Sequence, residues 1–527
     1  MIKTITKQAA PQKKAWLWLG PLLTMLLIGI YSTARFGGHW AEADSGTFAL
    51  YIRDMLSAGR LIPDGRAAYP NGYAFQAISV MIISMTGMHV AALQQVAYPL
   101  LAALLVLPAW LAFRELTGSE RGAALATMLL LTQPEFLFVV LRSSHEKFTR
   151  VLMLLCLFWL VRSFKLRDRP WPFAVHVGLF YLCTFAFIAS NNLLAHSFIV
   201  AIASALIAGW LIEWRSSAKA QQSDRLTQRL RYVVIICLGL VYVFTFYAYL
   251  PAQHDLLVLQ NIWQRLAALL LDVQSQATNS YAQVEAGWVS LPIYFLISIA
   301  NWVILAASVI IWLRQGWRWL VQRSALPTQE ARLLWLFYGA FAIQGGLSIA
   351  VDASGVLGSN LQHRLFPSFS IVAVAMVGSA LASWRPRQFA RAISAGVTGA
   401  VACVSLLSVF KATNEPLLSN KWTFYQPGEV TALAWSDRHL HDSIIWTAFD
   451  ERLAVAFATT QDVPSNRNHF LGTTQPANAR DMLMSDVTRF YSSRMGYTVP
   501  VAPDALQIYD NGQAQFYHQR PLTPYQK

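Results

Sequence analysis

Two short runs and one isolated cation hold the side chains that could do chemistry. Directly after the first apolar run comes His39-Trp-Ala-Glu-Ala-Asp-Ser45, which sets Glu42 and Asp44 two residues apart where the chain leaves an apolar environment. A carboxylate placed there can take a proton from an attacking hydroxyl or help to hold a cation. The second run, Leu141-Arg-Ser-Ser-His-Glu-Lys-Phe148, packs Arg142, His145, Glu146 and Lys147 between two further apolar runs. His145 and Glu146 offer two ligand types that a divalent ion such as Mg²⁺ or Mn²⁺ could accept, although a hard ion favours oxygen over imidazole. Arg142 and Lys147 can instead neutralise a phosphate directly. The third feature is Leu357-Gly-Ser-Asn-Leu-Gln-His-Arg-Leu-Phe-Pro367, where Arg364 is the only basic residue in its turn. An arginine at such a boundary can simply snorkel. Flanked by Asn360, Gln362 and His363, it also has the makings of an anion site.

The elements that must position these groups are membrane spans. Of 527 residues, 55% are hydrophobic and 13% charged, about half the charged fraction of an ordinary soluble chain. Apolar runs near twenty residues long occur at about 15–34, 92–113, 122–140, 148–164, 173–190, 192–212, 232–250, 288–313, 332–350, 366–384 and 392–410. Each is long enough to cross a bilayer as a helix. The first is basic in front but long and without a small-residue cleavage site, so it reads as a retained span and not a signal peptide. The formal net charge of +14 sits between apolar runs, where topology accounts for it, and no nucleic-acid partner is expected. Cys156, Cys183, Cys237 and Cys403 lie inside apolar runs without metal-type spacing and read as small core residues.

Residues 73–88 are apolar but short, and whether they cross decides the side of everything after them. Left uncrossed, they give eleven spans whose inner loops hold 22 Lys and Arg against 9 outside. Cytoplasmic loops are the Lys/Arg-rich ones, so the expectation is a multi-pass protein of the plasma (inner) membrane with a cytoplasmic N-terminus. Two large external loops follow, 35–91 and 251–287, on a transmembrane domain 1–411. The expected fold class is all-α and polytopic with a small external α/β domain over 412–527, because the tail alternates in Asp442-Ser-Ile-Ile-Trp-Thr-Ala-Phe449 and again from Leu506 into a turn at Gly512. After Asp44, Phe48, Ile52, Met55 and Leu56 share one helical face and Arg53, Asp54 and Ser57 the other, which describes an interfacial helix. An Asp at the start of that helix can also cap it.

The order of these features resembles the GT-C superfamily of polyprenol-dependent membrane glycosyltransferases. An acidic residue just after the first span is followed by an interfacial helix, a small-residue turn at Gly59, the Tyr69-Pro-Asn-Gly-Tyr73 element and a second apolar helix. Pro99 and Pro108 punctuate the next span, and Phe113-Arg-Glu-Leu-Thr-Gly118 leads into Arg121-Gly-Ala-Ala. The layout is most similar to the oligosaccharyltransferase catalytic subunit and its prokaryotic relatives, over roughly residues 15–165, with the remainder similar only in layout.

The resemblance implies an inverting transfer of a sugar from a polyprenyl-(pyro)phosphate donor to an acceptor on the external face. It implies Asp44, with Glu42 beside it, as catalytic, and Arg364, Arg142, Lys147, His363 and Tyr69 as substrate-binding. It implies Glu146, His145 and Asp44 as ligands if a metal is held, although the family's second-loop acidic pair is replaced here by His145-Glu146. The tail lacks the Trp-Trp-Asp-x-Gly motif by which oligosaccharyltransferases recognise the acceptor asparagine, which points to another protein side chain, a lipid or a glycan as acceptor. A lipid or glycan transporter or flippase would also be polytopic and basic inside. It would, however, concentrate acidic groups at mid-membrane and show inverted repeats, which this chain lacks.

Overall fold

The computed structural model describes residues 15–60, 72–166, 169–216, 260, 263–264, 291–322, 328–353, 361–383, 390–414, 424–440, 443–448, 450–460, 469–470, 475–494 and 498–519. Tyr69, Asn360, most of the 251–287 loop, Cys237 and the expected span at 232–250 lie outside them, as does the side chain of His363.

Among the described residues, ten of the eleven expected spans are helices. They are α1 (Leu19–Phe36), α4 (Val90–Thr117), the pair α5 (Glu120–Leu130) and α6 (Pro134–Leu141), α7 (Glu146–Lys165), α8 (Pro170–Ser190), α9 (Asn192–Ser216), α10 (Leu291–Gly316), α11 (Gln329–Ala353), α12 (Leu361–Ser383) and α13 (Ala390–Asn414). Between α1 and α4 lie two shorter helices, α2 (Ala43–Ala58) and α3 (Ala74–Thr86). Among the described residues seven helices are both long and apolar enough to cross a membrane, and an eighth if the α5–α6 pair is one span bent by 78°. At 13 residues, α3 is too short to cross.

The bend follows from chemistry at Thr132-Gln133-Pro134. Proline has no N–H and clashes with the preceding turn, and an open backbone carbonyl is costly in an apolar interior. The α13 serines answer this: Ser408 donates to the carbonyl of Thr132 at 2.9 Å and Ser405 to that of Met128 at 3.1 Å. The core runs along α4, α5, α7 and α12, where Ile371, Val372, Ala373, Val374, Ala375 and Met376 are sealed from solvent. At the end of the bundle remote from α2, buried Glu115 of α4 pairs with Arg162 at 3.0 Å and with Lys165 at 2.7 Å, and Lys165 reaches Glu330 of α11 at 3.1 Å. Cysteines behave unevenly: Cys156 is buried, Cys183 half-buried, and Cys403 exposed on the outer face of α13, so Cys403 is not the core residue expected of it.

Beyond α13 the chain forms a small α/β unit. Helices α14 (Pro427–His439), α15 (Glu451–Thr460) and α16 (Asp486–Arg494) flank a sheet of order β2-β1-β3-β5-β4, where β1 is Ile445–Trp446, β2 His469–Phe470, β3 Asp481–Ser485, β4 Leu506–Asp510 and β5 Ala514–His518. β1 runs parallel to β2 and β3, while β3–β5 and β4–β5 are antiparallel. The expected hairpin forms, turning at Gly512 with φ +82°. Only Ile445 and Trp446 of the first alternating segment enter a strand.

Candidate active site

The site is built where α2 begins, where α6 passes into α7, and where α12 enters the bundle. Glu42, not Asp44, is the N-cap of α2. Its carboxylate accepts from the backbone N–H of Asp44 at 2.8 Å and of Ser45 at 2.9 Å, and from the Ser45 hydroxyl. Both oxygens are therefore occupied by the turn itself, the arrangement that satisfies the free N–H groups of a helix start. Glu42 is 2% exposed, and burial, reinforced by Asp44, pushes its carboxyl up to about 7. Asp44 comes two residues later and its side chain remains 58% exposed.

Across from Asp44, the four residues linking α6 to α7 bring over Arg142. One guanidinium nitrogen meets Asp44 Oδ2 at 2.8 Å and the other meets Glu146 Oε2 at 2.8 Å. Asp44 and Glu146 thus share one cation, and together with Glu42 they hold Arg142 firmly protonated, above its ordinary range. The turn is fastened to α2 by the Ser143 N–H donating to Ser45 Oγ at 3.1 Å, and to α4 by the Ser143 hydroxyl donating to the carbonyl of Gln94. Ser45 is thereby a hinge pin between the two candidate runs.

His145 lies beneath, packed against Phe48 with ring centroids 4.9 Å apart and the ring planes tilted by 54°. The Asn191 side-chain carbonyl already accepts from Leu194 N–H, so its amide donates to His145 Nε2 at 2.6 Å. Nε2 is then unprotonated, in keeping with a pKa that burial drives down to about 4. Lys147 turns away from Arg142: its ammonium sits 5.0 Å over the Tyr98 ring in the layer between α2, α3 and α4. Arg364, exposed on the first turn of α12, stands within electrostatic reach of Glu146 and His145.

Two residues fix Arg364 that sequence reading did not single out. Asp352, at the end of α11, caps the start of α12 by accepting from Leu361 N–H at 2.8 Å and Gln362 N–H at 2.7 Å. Arg150 of α7, wholly buried, donates to the carbonyl of Arg364 at 2.8 Å and to the hydroxyl of Ser368. Arg150 falls one helical turn after Glu146, and that i, i+4 spacing was the available signal.

The candidate residues do not fit a resident divalent ion as they are arranged. Among the described residues no group of three or more His, Cys, Asp or Glu is disposed to hold a metal. Asp44 and Glu146 are already bridged by a guanidinium, Nε2 of His145 is engaged by Asn191, and both oxygens of Glu42 cap a helix. The expected ligand set of Asp44, His145 and Glu146 is accordingly revised to an Asp44–Arg142–Glu146 bridge. What the arrangement can do is bind an anion, through Arg142 and Arg364, beside an exposed carboxylate.

No protein-family model matches the chain, and no curated protein sequence does. Solved structures do. The apo form of the oligosaccharyltransferase of Archaeoglobus fulgidus superposes with a TM-score of 0.52 at 12% identity, over 90% of this chain and 70% of that one. The same enzyme in complex with Zn and sulfate gives 0.53 at 11% identity, over 89% and 68%. With an inhibitory peptide and a dolichol-phosphate it gives 0.53 at 12%, over 90% and 70%. At these identities what is shared is the arrangement of elements. Over about 90% of its length the chain shares the fold of the archaeal oligosaccharyltransferase.

Proposed function

We propose that the chain is an integral-membrane glycosyltransferase that moves a sugar from a polyprenyl-(pyro)phosphate donor to an acceptor on the external face. The observation that carries this reading is the Asp44–Arg142–Glu146 bridge with Arg364 nearby, an anion-binding pair set against a solvent-exposed carboxylate. Asp44 orients the acceptor nucleophile and takes its proton as the new bond to the anomeric carbon forms. Arg142 and Arg364 meet the phosphate and neutralise the negative charge that grows on its oxygen as the glycosyl bond breaks. Direct displacement by a single attacking group inverts the anomeric carbon. Glu42 serves as a positioning residue, since its oxygens hold the helix turn from which Asp44 projects. Glu146 holds Arg142 in place from the other side. The dolichol-phosphate in the A. fulgidus enzyme supports a lipid phosphate as the anion.

The test is retention of undecaprenyl phosphate by the purified chain, followed by native mass spectrometry. Wild type should retain the lipid and the double substitution Arg142→Ala, Arg364→Ala should lose it. Equal retention by both would remove the anion site. Mass spectrometry of lipid extracts from a deletion strain then identifies the donor as the lipid-linked sugar that accumulates.

A further inference from the structure

Next to Asp44, and sharing Arg142 with the site above, lies a cleft. It is bounded by α1, the start of α2, α4, the α6–α7 turn, the end of α13 and Phe424. Its walls include Trp40, Phe138, Phe424, Gln94, Gln95 and Arg142.

Gln94 is the telling residue. It is fully buried, yet neither its amide nitrogen nor its amide oxygen meets a hydrogen-bond partner among the described residues. The same holds for the indole nitrogen of Trp40. Burying an unanswered amide is costly, so such groups in a native protein need a reason. The backbone supplies a second sign: residues Leu93–Ala97 of α4 form a π-helical turn, a departure that recurs at functional sites. That turn carries Gln94 and Gln95, and α1 can lie close against its continuation because Gly29 has no Cβ, which would fall 2.6 Å from the carbonyl of Pro99.

Aromatic side chains, a carboxamide with a donor and an acceptor to spare, an indole N–H and a guanidinium describe one kind of ligand. It has an apolar C–H face and a rim of hydroxyls that both donate and accept. We propose that this cleft is a pyranose subsite, in which Gln94 and Trp40 hydrogen-bond the hydroxyls of a sugar ring lying against the aromatic side chains, beside Asp44. This deepens the glycosyltransferase reading and rests on it for the sugar's role, though not for the binding itself. The ring is either that of the lipid-linked donor or that of a glycan acceptor.

The experiment uses the full chain in nanodiscs and a panel of methyl pyranosides of gluco, galacto, manno and N-acetylgluco configuration, read by saturation-transfer NMR. At least one should show saturation transfer in wild type, weakened about tenfold in affinity by Gln94→Leu and unchanged by the surface substitution Asp510→Asn. Absence of any saturated pyranoside, or equal binding by Gln94→Leu, overturns the subsite. Should that variant not fold, a diazirine-bearing pyranoside on wild type decides. Crosslinks on the peptides bearing Trp40, Gln94 or Phe138 support the subsite, and crosslinks confined elsewhere overturn it. Adding undecaprenyl phosphate separates the sources. Pyranoside binding that survives both the bare phosphate and its glycosylated form marks an acceptor site, and displacement by the glycosylated form alone marks the donor's sugar. Pyranoside binding without undecaprenyl phosphate retention would sink the proposed function and leave the subsite standing.

Discussion

Glu42 and Asp44 are alike in chemistry and stand two residues apart, but helix geometry gives them different work. The cap position faces inward and spends both oxygens on N–H groups, while the position two residues on points to solvent and meets Arg142. Asp44→Asn is therefore expected to lower transfer from a lipid-linked donor by about a hundredfold or more and to leave the unfolding temperature unchanged. A radiolabelled lipid-sugar transfer assay beside a thermal melt checks both. Glu42→Ala is expected to cost about 1 kcal/mol of stability through the lost cap. Glu42 also carries a pH signature. Its folded carboxyl sits near 7 against an ordinary 4.5, so the folded state holds this proton more tightly than the unfolded one. Its stabilising contribution is full below about 4.5 and is lost as pH rises through 7. Melts between pH 4.5 and 7.5 should show this decline in wild type and a weaker one in Glu42→Gln. Identical slopes would show that Glu42 is not the titrating group.

At the scale of elements, the site depends on places where backbones touch. Gly72 sits at φ +127°, and a Cβ there would fall 2.5 Å from the carbonyl of Ala189 and 2.7 Å from that of Ser190. Tyr73 N–H bonds the same Ala189 carbonyl at 3.1 Å. This contact docks the start of α3 on the end of α8, one residue from the Asn191 that engages His145. Gly72→Ala forces both a rare backbone conformation and a collision, a cost of about 1–3 kcal/mol. Its unfolding midpoint is expected to drop by more than about 2 °C, and a melt unchanged from wild type would show that the docking contributes nothing to stability. The Gly72-Tyr73 step is thus built for close approach, which the glycine announces in the sequence.

The whole molecule joins its terminal α/β unit to the site through the backbone. Tyr425 N–H donates to the carbonyl of Ala41 at 3.1 Å, Phe424 bridges to Glu42, and the unit is stiffened nearby by Arg452 between Glu429 and Asp450, each at 2.9 Å and all buried. Removing one partner of such a network leaves unpaired buried charge, at roughly 3–5 kcal/mol. Arg452→Ala is expected to depress transfer as well as stability, whereas an intact rate in folded protein would uncouple the unit from Asp44. The orientation is tested by cysteines placed singly at Arg66, Gln283 and Asp504 in a chain without native cysteine. All three should react with an impermeant thiol reagent from outside, and protection of any one with reaction from the cytoplasm would overturn the topology.

Hydropathy and charge by themselves determined the helical, polytopic class, the place of most spans, the terminal hairpin and the two runs that form the site. These are legible because span length and amphipathic period are written locally along the chain. The tertiary structure decided which carboxylate caps and which is exposed, that Arg142 bridges Asp44 and Glu146 where a metal was expected, that Lys147 faces Tyr98, that Arg150 and Asp352 hold the start of α12, and that Gln94 lines the cleft beside Arg142. Those depend on helices far apart in sequence meeting at one depth. No local pattern encodes whether a charged side chain will find a partner across such a gap, because its energy depends on what the other helix presents.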